Sequence, residues 1–416
     1  MSTEIPPHPI GESLATRPVE AFPNLRHLWA FLEVGCLNSM NKAAAVMNLS
    51  QPALTQAITR IERAFSEEFF TRHPTGMHPT RAGERALRRI RRAFDALSAA
   101  LVDLDFAPTA APRPDLLLTS SQLAALGALV RTTGQEAAAR GIGVTPPSLV
   151  RNLRGLENRL GRTLLLRDGS QIRLSALGTR LARGACLAER ELELLREELD
   201  LDRGMTRGRL SVGALPLARP YVAAKPLVTI ALRHPAIKVR LVEGAYPPLL
   251  EALRNGDIDI LLGTLRQPPP FDDVVEHVLA DDMLCVVGRT DHPLAGHPAP
   301  GVAEFRKYPW IAPRQGSPAR QEFDAIFGAG QPSPPQMMEV ASHVAVRAIL
   351  HESDALALVS RRQIRYEEAS NQLAVLSTTL AGALRRIGYT LRSDCEPTPV
   401  QQEFLAEVAA AVADEG

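Results

Sequence analysis

The feature that most constrains this chain is an internal duplication. Residues 50–65 read SQPALTQAITRIERAF and residues 145–160 read TPPSLVRNLRGLENRL. A constant shift of 95 residues, taking Ala53 to Ser148, aligns the two stretches and runs well beyond them without a gap. Leu28 meets Leu123, Ala43-Ala44 meets Ala138-Ala139, Pro52 meets Pro147, Leu54 meets Leu149 and Glu62 meets Glu157. Further on, Arg72 meets Arg167 and Gly83 meets Gly178. Conservative pairs fill the intervals: Ser50 with Thr145, Ile58 with Leu153, Ile61 with Leu156, Phe65 with Leu160, Phe69 with Leu164 and Thr80 with Ser175. One register through so many unlike segments marks a tandem duplication of a whole domain.

The first copy reads as helices with sharp punctuation. LRHLWAFLEVG sets Leu25, Leu28, Phe31 and Leu32 on one helical face. NKAAAVMNL is a short Ala-rich helix that Asn48 ends. Ser50 is a natural N-cap, and Pro52 stands in the first turn, where its missing N–H costs nothing. In the helix that follows, Leu54, Ile58, Ile61 and Phe65 fall at core spacing. Gln51, Thr55 and Thr59 share another face, with Gln56 and Arg60 beside them. Short helix, tight turn and longer helix with a polar N-terminal face make a helix-turn-helix. Gln can bond adenine in the major groove, and hydroxyls with a helix N-terminus can hold phosphate. FFTRHPTGMHPTRAGERAL then predicts a two-stranded wing around Pro74-Thr75-Gly76, with Arg72, His73 and Arg81 near a DNA backbone. The long helix after it carries Arg88, Arg89, Arg91 and Arg92, which on a bland reading form a solvated face.

These residues carry a resemblance. Ala43-Ala44, Leu49-Ser50-Gln51-Pro52-Ala53-Leu54-Thr55, Ile61-Glu62, Phe69-Phe70, Arg72 and Thr80-Arg81-Ala82-Gly83 resemble the N-terminal winged helix-turn-helix of LysR-type transcriptional regulators. The match runs from about residue 25 to about residue 104 and is specific in order and spacing. In that family the long helix pairs two subunits, so the resemblance implies a dimer or tetramer.

The second copy drifts on the polar face. Pro146 replaces Gln51 and Val150 replaces Thr55, while Arg151, Asn152 and Arg154 stand in place of Gln56, Ala57 and Thr59. One base-reading group is gone and the face is more basic. Arg reads guanine or simply holds phosphate. The candidate DNA contacts are therefore Ser50, Gln51, Pro52, Thr55, Gln56, Thr59, Arg72 and Arg81, and then Thr145, Ser148, Arg151, Asn152 and Arg154. The alternative is a second copy that spaces, dimerises or grips a protein partner while the first alone reads DNA.

Pro108, Pro112 and Pro114 mark a linker between the copies. The chain divides into a leader over 1–23, a first winged helix-turn-helix over 24–105, a linker over 106–117 and a second winged helix-turn-helix over 118–203. Its long helix covers roughly Ala176 to Leu201. From 208 to 416 strands and helices alternate, an α/β pattern. VVEHVL and MLCVVG read there as two short strands, and Pro318 to Phe327 and Ser342 to His351 read as helices.

The order of elements from 208 onward is similar to the LysR effector-binding region, whose fold is that of type 2 periplasmic binding proteins. GRLSVGALP, HPAIKVRLVEG, LLEALRNGDIDILLG and DHPLA carry the match. GALP, GTLR, YPWIAPRQGSPAR and SDALALVS are most similar to the galactose-binding-protein regulator group. The resemblance implies subdomains at about 208–285 plus 387–416 and about 286–386. The expected fold class is thus α+β and α/β, two tandem winged helix-turn-helix domains before a two-subdomain effector domain. Ligands of open α/β sheets sit beyond strand C-termini, near helix N-termini. That rule and the family's loops select Leu215, Pro216, Leu217, Thr264, Leu265, Arg266, Gln315, Gly316, Ser317, Arg320, Ser342 and His343. Arg266 and Arg320 suit an acidic group, whereas Ser317 and Ser342 would be plain helix caps in any protein. Sugars, sugar acids and aromatic acids remain open as effectors, and double-stranded operator DNA and RNA polymerase are the expected macromolecular partners.

Composition adds exclusions. Net charge is +1, so any affinity for nucleic acid comes from local patches. The four cysteines, Cys36, Cys186, Cys285 and Cys395, lack metal-ligand spacing and fit a reducing compartment. The first residues have neither the basic nor the apolar region of an export signal, and no apolar run suits a membrane span, so a cytoplasmic protein is expected. GxSxG, HExxH and phosphate-loop motifs are missing, so neither enzyme chemistry nor a cofactor is expected.

Overall fold

A computed structural model describes residues 22–102, 117–169, 171–215, 222–266, 268–327, 334–340, 342–378 and 384–413. The leader expected over 1–23 and the linker expected over 106–117 lie almost wholly outside them. The chain forms two compact units. The first runs through Leu210 and adds His234–Lys238 and Leu250–Ile258; the second holds the rest.

In the first unit the sequence punctuation acts as the spacing predicts. Helix α1 (Leu25–Leu37) ends at Asn38, whose φ of 47° turns the chain into α2 (Met40–Val46), and Ser39 caps that helix. Helix α3 (Gln51–Phe65) starts on the Ser50 cap with Pro in its first turn, and buries Leu54, Ala57, Ile58, Ile61 and Phe65. Strands β1 (Phe70–His73) and β2 (Gly76–Pro79) pair antiparallel as the wing, and α4 (Arg81–Ala99) follows. The second copy repeats the series: α5 (Ser120–Arg131), α6 (Gln135–Gly141), α7 (Pro146–Leu160), β3 (Leu165–Asp168), β4 (Gln171–Leu174) and α8 (Ala176–Asp202). A single apolar cluster runs through both copies, from Leu25 to Leu199.

The copies share their polar joints as well. Glu62 Oε1 accepts the amide of Phe69 at 3.0 Å, and Glu157 Oε1 accepts those of Leu164 and Leu165 at 2.7 and 2.9 Å. Each carboxylate pins the loop between recognition helix and wing. Thr80 and Ser175 cap α4 and α8 through the amides of Gly83 and Gly178, and their hydroxyls reach back to the carbonyls of Glu68 and Thr163. Those two glycines let the helix pass against the wing. A Cβ on Gly83 would stand 2.0 Å from the Phe69 carbonyl oxygen, and one on Gly178 would stand 2.4 Å from that of Leu164.

Helices α4 and α8 lie antiparallel, and here the bland reading of the four arginines as a solvated face holds only in part. Arg89 is 1% exposed, with Nη1 at 3.0 Å from Glu191 and Nε at 2.9 Å from Glu198. Burial opposes its charge, but the two carboxylates outweigh that and raise its pKa. Arg88 and Arg92 pair with Glu198 and Glu191 at 3.3 and 3.1 Å, and Arg85 pairs with Asp202. Of the four arginines read as solvated, Arg88 and Arg91 remain exposed.

In the remainder of the chain, strands β5 (Gly208–Ala214), β6 (Ile237–Glu243), β7 (Ile260–Thr264) and β8 (Val274–Arg289) alternate with α9 (Ala224–Arg233) and α10 (Tyr246–Arg254). Then come α11 (Val302–Phe305), β9 (Trp310–Ala312), α12 (Pro318–Phe327), β10 (Met337–Glu339), α13 (His343–Glu352) and β11 (Leu356–Ser360). Helix α14 (Arg365–Ala369), strands β12 (Leu373–Ser377) and β13 (Leu384–Arg392) and helix α15 (Pro399–Ala413) close it. The strand order is β10-β9-β11-β8-β13-β7-β5-β6, with β12 also on β8.

The two short strands expected at VVEHVL and MLCVVG are one strand, β8, sixteen residues long. Residues 274–283 pair with β13, and residues 284–289 pair with β11 and β12, so β8 belongs to both halves of the sheet. The Ala280-Asp281-Asp282 stretch looks like a break because charge is rare inside strands. Asp282 is tolerated there because Ser360 donates to one carboxylate oxygen and Arg385 to the other.

Candidate nucleic-acid interface and effector site

Helix α3 presents a polar N-terminal face. Ser50, Gln51, Pro52, Thr55 and Gln56 are exposed and Thr59 is half-buried. With Arg60 and Arg63 they line a shallow concavity of about 510 Å³. The Ser50 hydroxyl accepts from the Ala53 amide at 3.4 Å and keeps its own proton for an outside acceptor. The Thr55 hydroxyl spends its proton on the Gln51 carbonyl at 3.0 Å, so outward it offers lone pairs and a methyl group. Arg72 on the wing and Arg81 at the start of α4 are exposed. The wing is anchored where the Met77 amide donates to the Asn38 carbonyl at 3.0 Å, beside Gly76 at φ 130°. The sequence reading passed over Arg63, although it lies one turn beyond Thr59 on the same helix.

Helix α7 holds the same place in its copy with other chemistry. Thr145 caps it, but the Thr145 and Ser148 hydroxyls also bond each other at 2.9 Å. Pro146 and Pro147 fill the first two positions, so two amides available to phosphate in an ordinary helix start are missing. Arg151 and Arg154 are exposed, whereas Asn152 is half-buried, since its counterpart Ala57 belongs to the core. Arg154, Arg162 and Arg167 line a second concavity, of about 600 Å³, between α7 and its wing. Arg162 was missed by sequence reading because its partner position in the first copy is Glu67.

The candidate effector residues divide in three. Leu215, Thr264 and Leu265 are buried, so their side chains pack into the domain. Pro216 and Leu217 lie outside the described residues. Gln315 and Gly316 are exposed in a turn before α12, and Ser317 caps that helix through the Arg320 amide at 3.1 Å. Arg320 is held by Asp324 at 2.7 Å and Glu339 at 3.4 Å. Ser342 caps α13, and His343 lies 3.1 Å from the amide nitrogen of Gln363.

Arg266 is different. Its backbone amide donates to Glu276 at 2.9 Å and its guanidinium lies 4.6 Å from the centre of the Tyr246 ring. Its Nη1 and the Tyr246 hydroxyl are both buried without a hydrogen-bond partner among the described residues. Burial lowers the Arg266 pKa, while the Tyr246 phenol is pushed up to about 12, first by burial and then by Glu276. Burial also raises Glu276, against the Arg266 amide and charge. Tyr246 was passed over in the sequence, where it reads as the first residue of an ordinary amphipathic helix. Among the described residues no cluster of His, Cys, Asp or Glu could hold a metal ion, and no helix is long and apolar enough to cross a membrane.

Two tandem winged helix-turn-helix copies and a strand-sharing α/β domain define a class, and comparison with known proteins agrees. The family described as bacterial regulatory helix-turn-helix protein, lysR family, matches twice, at residues 25–84 and 120–179. The LysR substrate binding domain matches residues 203–413. The chain belongs to the LysR family of DNA-binding transcriptional regulators, with two helix-turn-helix matches and an effector-sensing domain. It is 33% identical to the HTH-type transcriptional regulator GalR of Pseudomonas putida over 389 residues, 92% of this chain and 96% of that protein. That relative is therefore long enough to hold both copies. The HTH-type transcriptional regulator PcaQ of Agrobacterium fabrum is 29% identical over 61% of this chain and 82% of its own length. The solved structure of ArgP from Mycobacterium tuberculosis shares the fold, with a TM-score of 0.54 at 17% identity, covering 70% of this chain and 96% of that one.

Proposed function

We propose that both helix-turn-helix copies of this regulator contact operator DNA, and that its effector is a small anion, a sugar acid or an aromatic acid in preference to a neutral sugar. The observation that carries the first part is the shared skeleton: the joints that fix α3 against its core and wing recur at α7, and α7 exposes Arg151 and Arg154. A copy kept only as a spacer has no need of arginines on its recognition face. The second part rests on Arg266 Nη1 and Tyr246 Oη, buried donors without partners among the described residues, on two side chains that stack guanidinium over ring. A carboxylate would satisfy both, and leaving such groups unmade costs about 1–3 kcal/mol each. Operation in the cytoplasm, and contact with RNA polymerase from the operator-bound state, complete the reading.

The test of the first part is footprinting on genomic DNA with wild type, Gln51→Ala and Arg151→Ala in parallel. Loss of protection at different parts of one site by the two variants supports reading by both copies. Loss with Gln51→Ala alone favours the alternative, in which the second copy spaces or dimerises. For the effector, calorimetric titration with a panel of carboxylates and neutral sugars separates the classes. Tight binding of a neutral sugar that Arg266→Ala leaves unchanged would sink the anion reading.

A further inference from the structure

The pairing of α4 with α8 has the geometry of a two-fold axis inside one chain. Under the shift of 95 residues, Arg89 corresponds to Gly184 and Ala96 to Glu191. Arg89 touches Glu191, and a Cβ on Gly184 would stand 2.8 Å from the Ala96 carbonyl oxygen. The shift exchanges these two contacts, as an isologous interface requires. The copies also meet where the Ser120 hydroxyl at the start of α5 donates to the Pro23 carbonyl just before α1 at 3.1 Å, close to equivalent positions in the two copies. The two copies are thus arranged as a dimer of themselves around one apolar cluster.

The charges make this pairing heterotypic. Two first-copy helices set against each other would place Arg89 opposite Ala96. Two second-copy helices would place Glu191 opposite Gly184. The first takes Glu191 away from Arg89 and leaves only Asp103, the counterpart of Glu198, and the second leaves Glu191 facing Gly184 and Leu187 with no arginine, whereas α4 on α8 keeps both charges paired. A connection as short as residues 100–119 holds the second copy, and with it α8, at an effective concentration on the order of millimolar, far above that of a second chain.

We propose that each chain is a self-contained pseudo-dimer for DNA. Helices α4 and α8 pair within the chain and present α3 and α7 to two half-sites of one operator, and the half-sites differ in sequence. Gln51 and Gln56 favour adenine in the first, and Arg151 and Arg154 favour guanine in the second. The operator is accordingly not a palindrome, and the linker helix that joins subunits elsewhere in the family is already occupied. This deepens the reading that the second copy contacts DNA, and it rests on that reading.

The experiment uses the full chain and has two arms. In the first, Glu67→Cys with Arg203→Cys, replacing an ion pair of 2.6 Å between the α3 end and the α8 end, is linked by a short bis-maleimide. Isotope-labelled and unlabelled chains are unfolded together, refolded and linked, and the joined peptides are weighed. Peptides from one label only are expected. Mixed-label peptides at the statistical ratio would mean pairing between chains and would overturn the proposal. In the second arm, sites recovered from genomic DNA are footprinted with wild type, Gln51→Ala and the double variant Arg151→Ala/Arg154→Ala. The two variants are expected to weaken opposite halves of one site, each by about tenfold or more. Single-label peptides with an unchanged footprint for the arginine variant would leave the pairing standing but overturn reading by the second copy, and with it the unlike half-sites. A palindromic footprint would overturn the proposal directly.

Discussion

In the first helix-turn-helix copy a glutamate holds one wing amide, a threonine caps the long helix and a glycine lets that helix cross the wing. In the second copy a glutamate, a serine and a glycine do the same at positions 95 residues on. On the exposed face of the recognition helix the cap and one proline are kept but the side chains beyond them change: Gln51 becomes Pro146, Thr55 becomes Val150 and Thr59 becomes Arg154. On the long helices charge has separated, with arginines on α4 and glutamates on α8. The difference teaches that the skeleton sets the fold, while two surfaces have diverged, the exposed face of the recognition helix and the face by which the long helices meet.

The comparison breaks most sharply at the long helices. Arg89→Ala removes the one fully buried cation between Glu191 and Glu198 and leaves them only Arg92 and Arg88, and a loss of about 3 kcal/mol is expected, read from the urea midpoint. Its counterpart in the second copy is Gly184, so no single change there mirrors the effect. A smaller difference is expected at the wing joints. Glu157→Ala frees two amides and Glu62→Ala only one, so losses of about 3 and about 1.5 kcal/mol are expected. Equal losses would show that the second contact of Glu157 contributes nothing. The caps come next: Ser50→Ala and Thr145→Ala should each cost about 1 kcal/mol. The smallest effect concerns DNA alone. Arg151→Ala should reduce the slope of log affinity against log salt by about 1 if the residue neutralises a phosphate. An unchanged slope with altered sequence preference would instead assign Arg151 to a base.

Much of this was legible because it is local. Caps, prolines and apolar spacing place α3 and α7 within one residue of their ends, and Pro318–Phe327 is the helix the pattern predicts. Arg89 and Asp282 were not legible, for a common reason. A charged residue in sequence reads as solvated, and only the partner brought from 78 to 109 residues away makes it a buried one. Tyr246 escaped for the converse reason: its body fits an amphipathic helix, and the unsatisfied hydroxyl is a property of its surroundings.

By itself, then, the sequence determined that a winged helix-turn-helix occurs twice, followed by an α/β effector domain. Those features follow from periodicity, turn chemistry and a constant register, all of which act within a few residues. Tertiary structure alone decided that α4 lies against α8, that β8 is one strand shared by two halves of a sheet, and that Arg266 and Tyr246 carry donors without a partner among the described residues. These depend on which distant groups meet once water is excluded, since burial turns a surface charge or hydroxyl into a group that must find a partner.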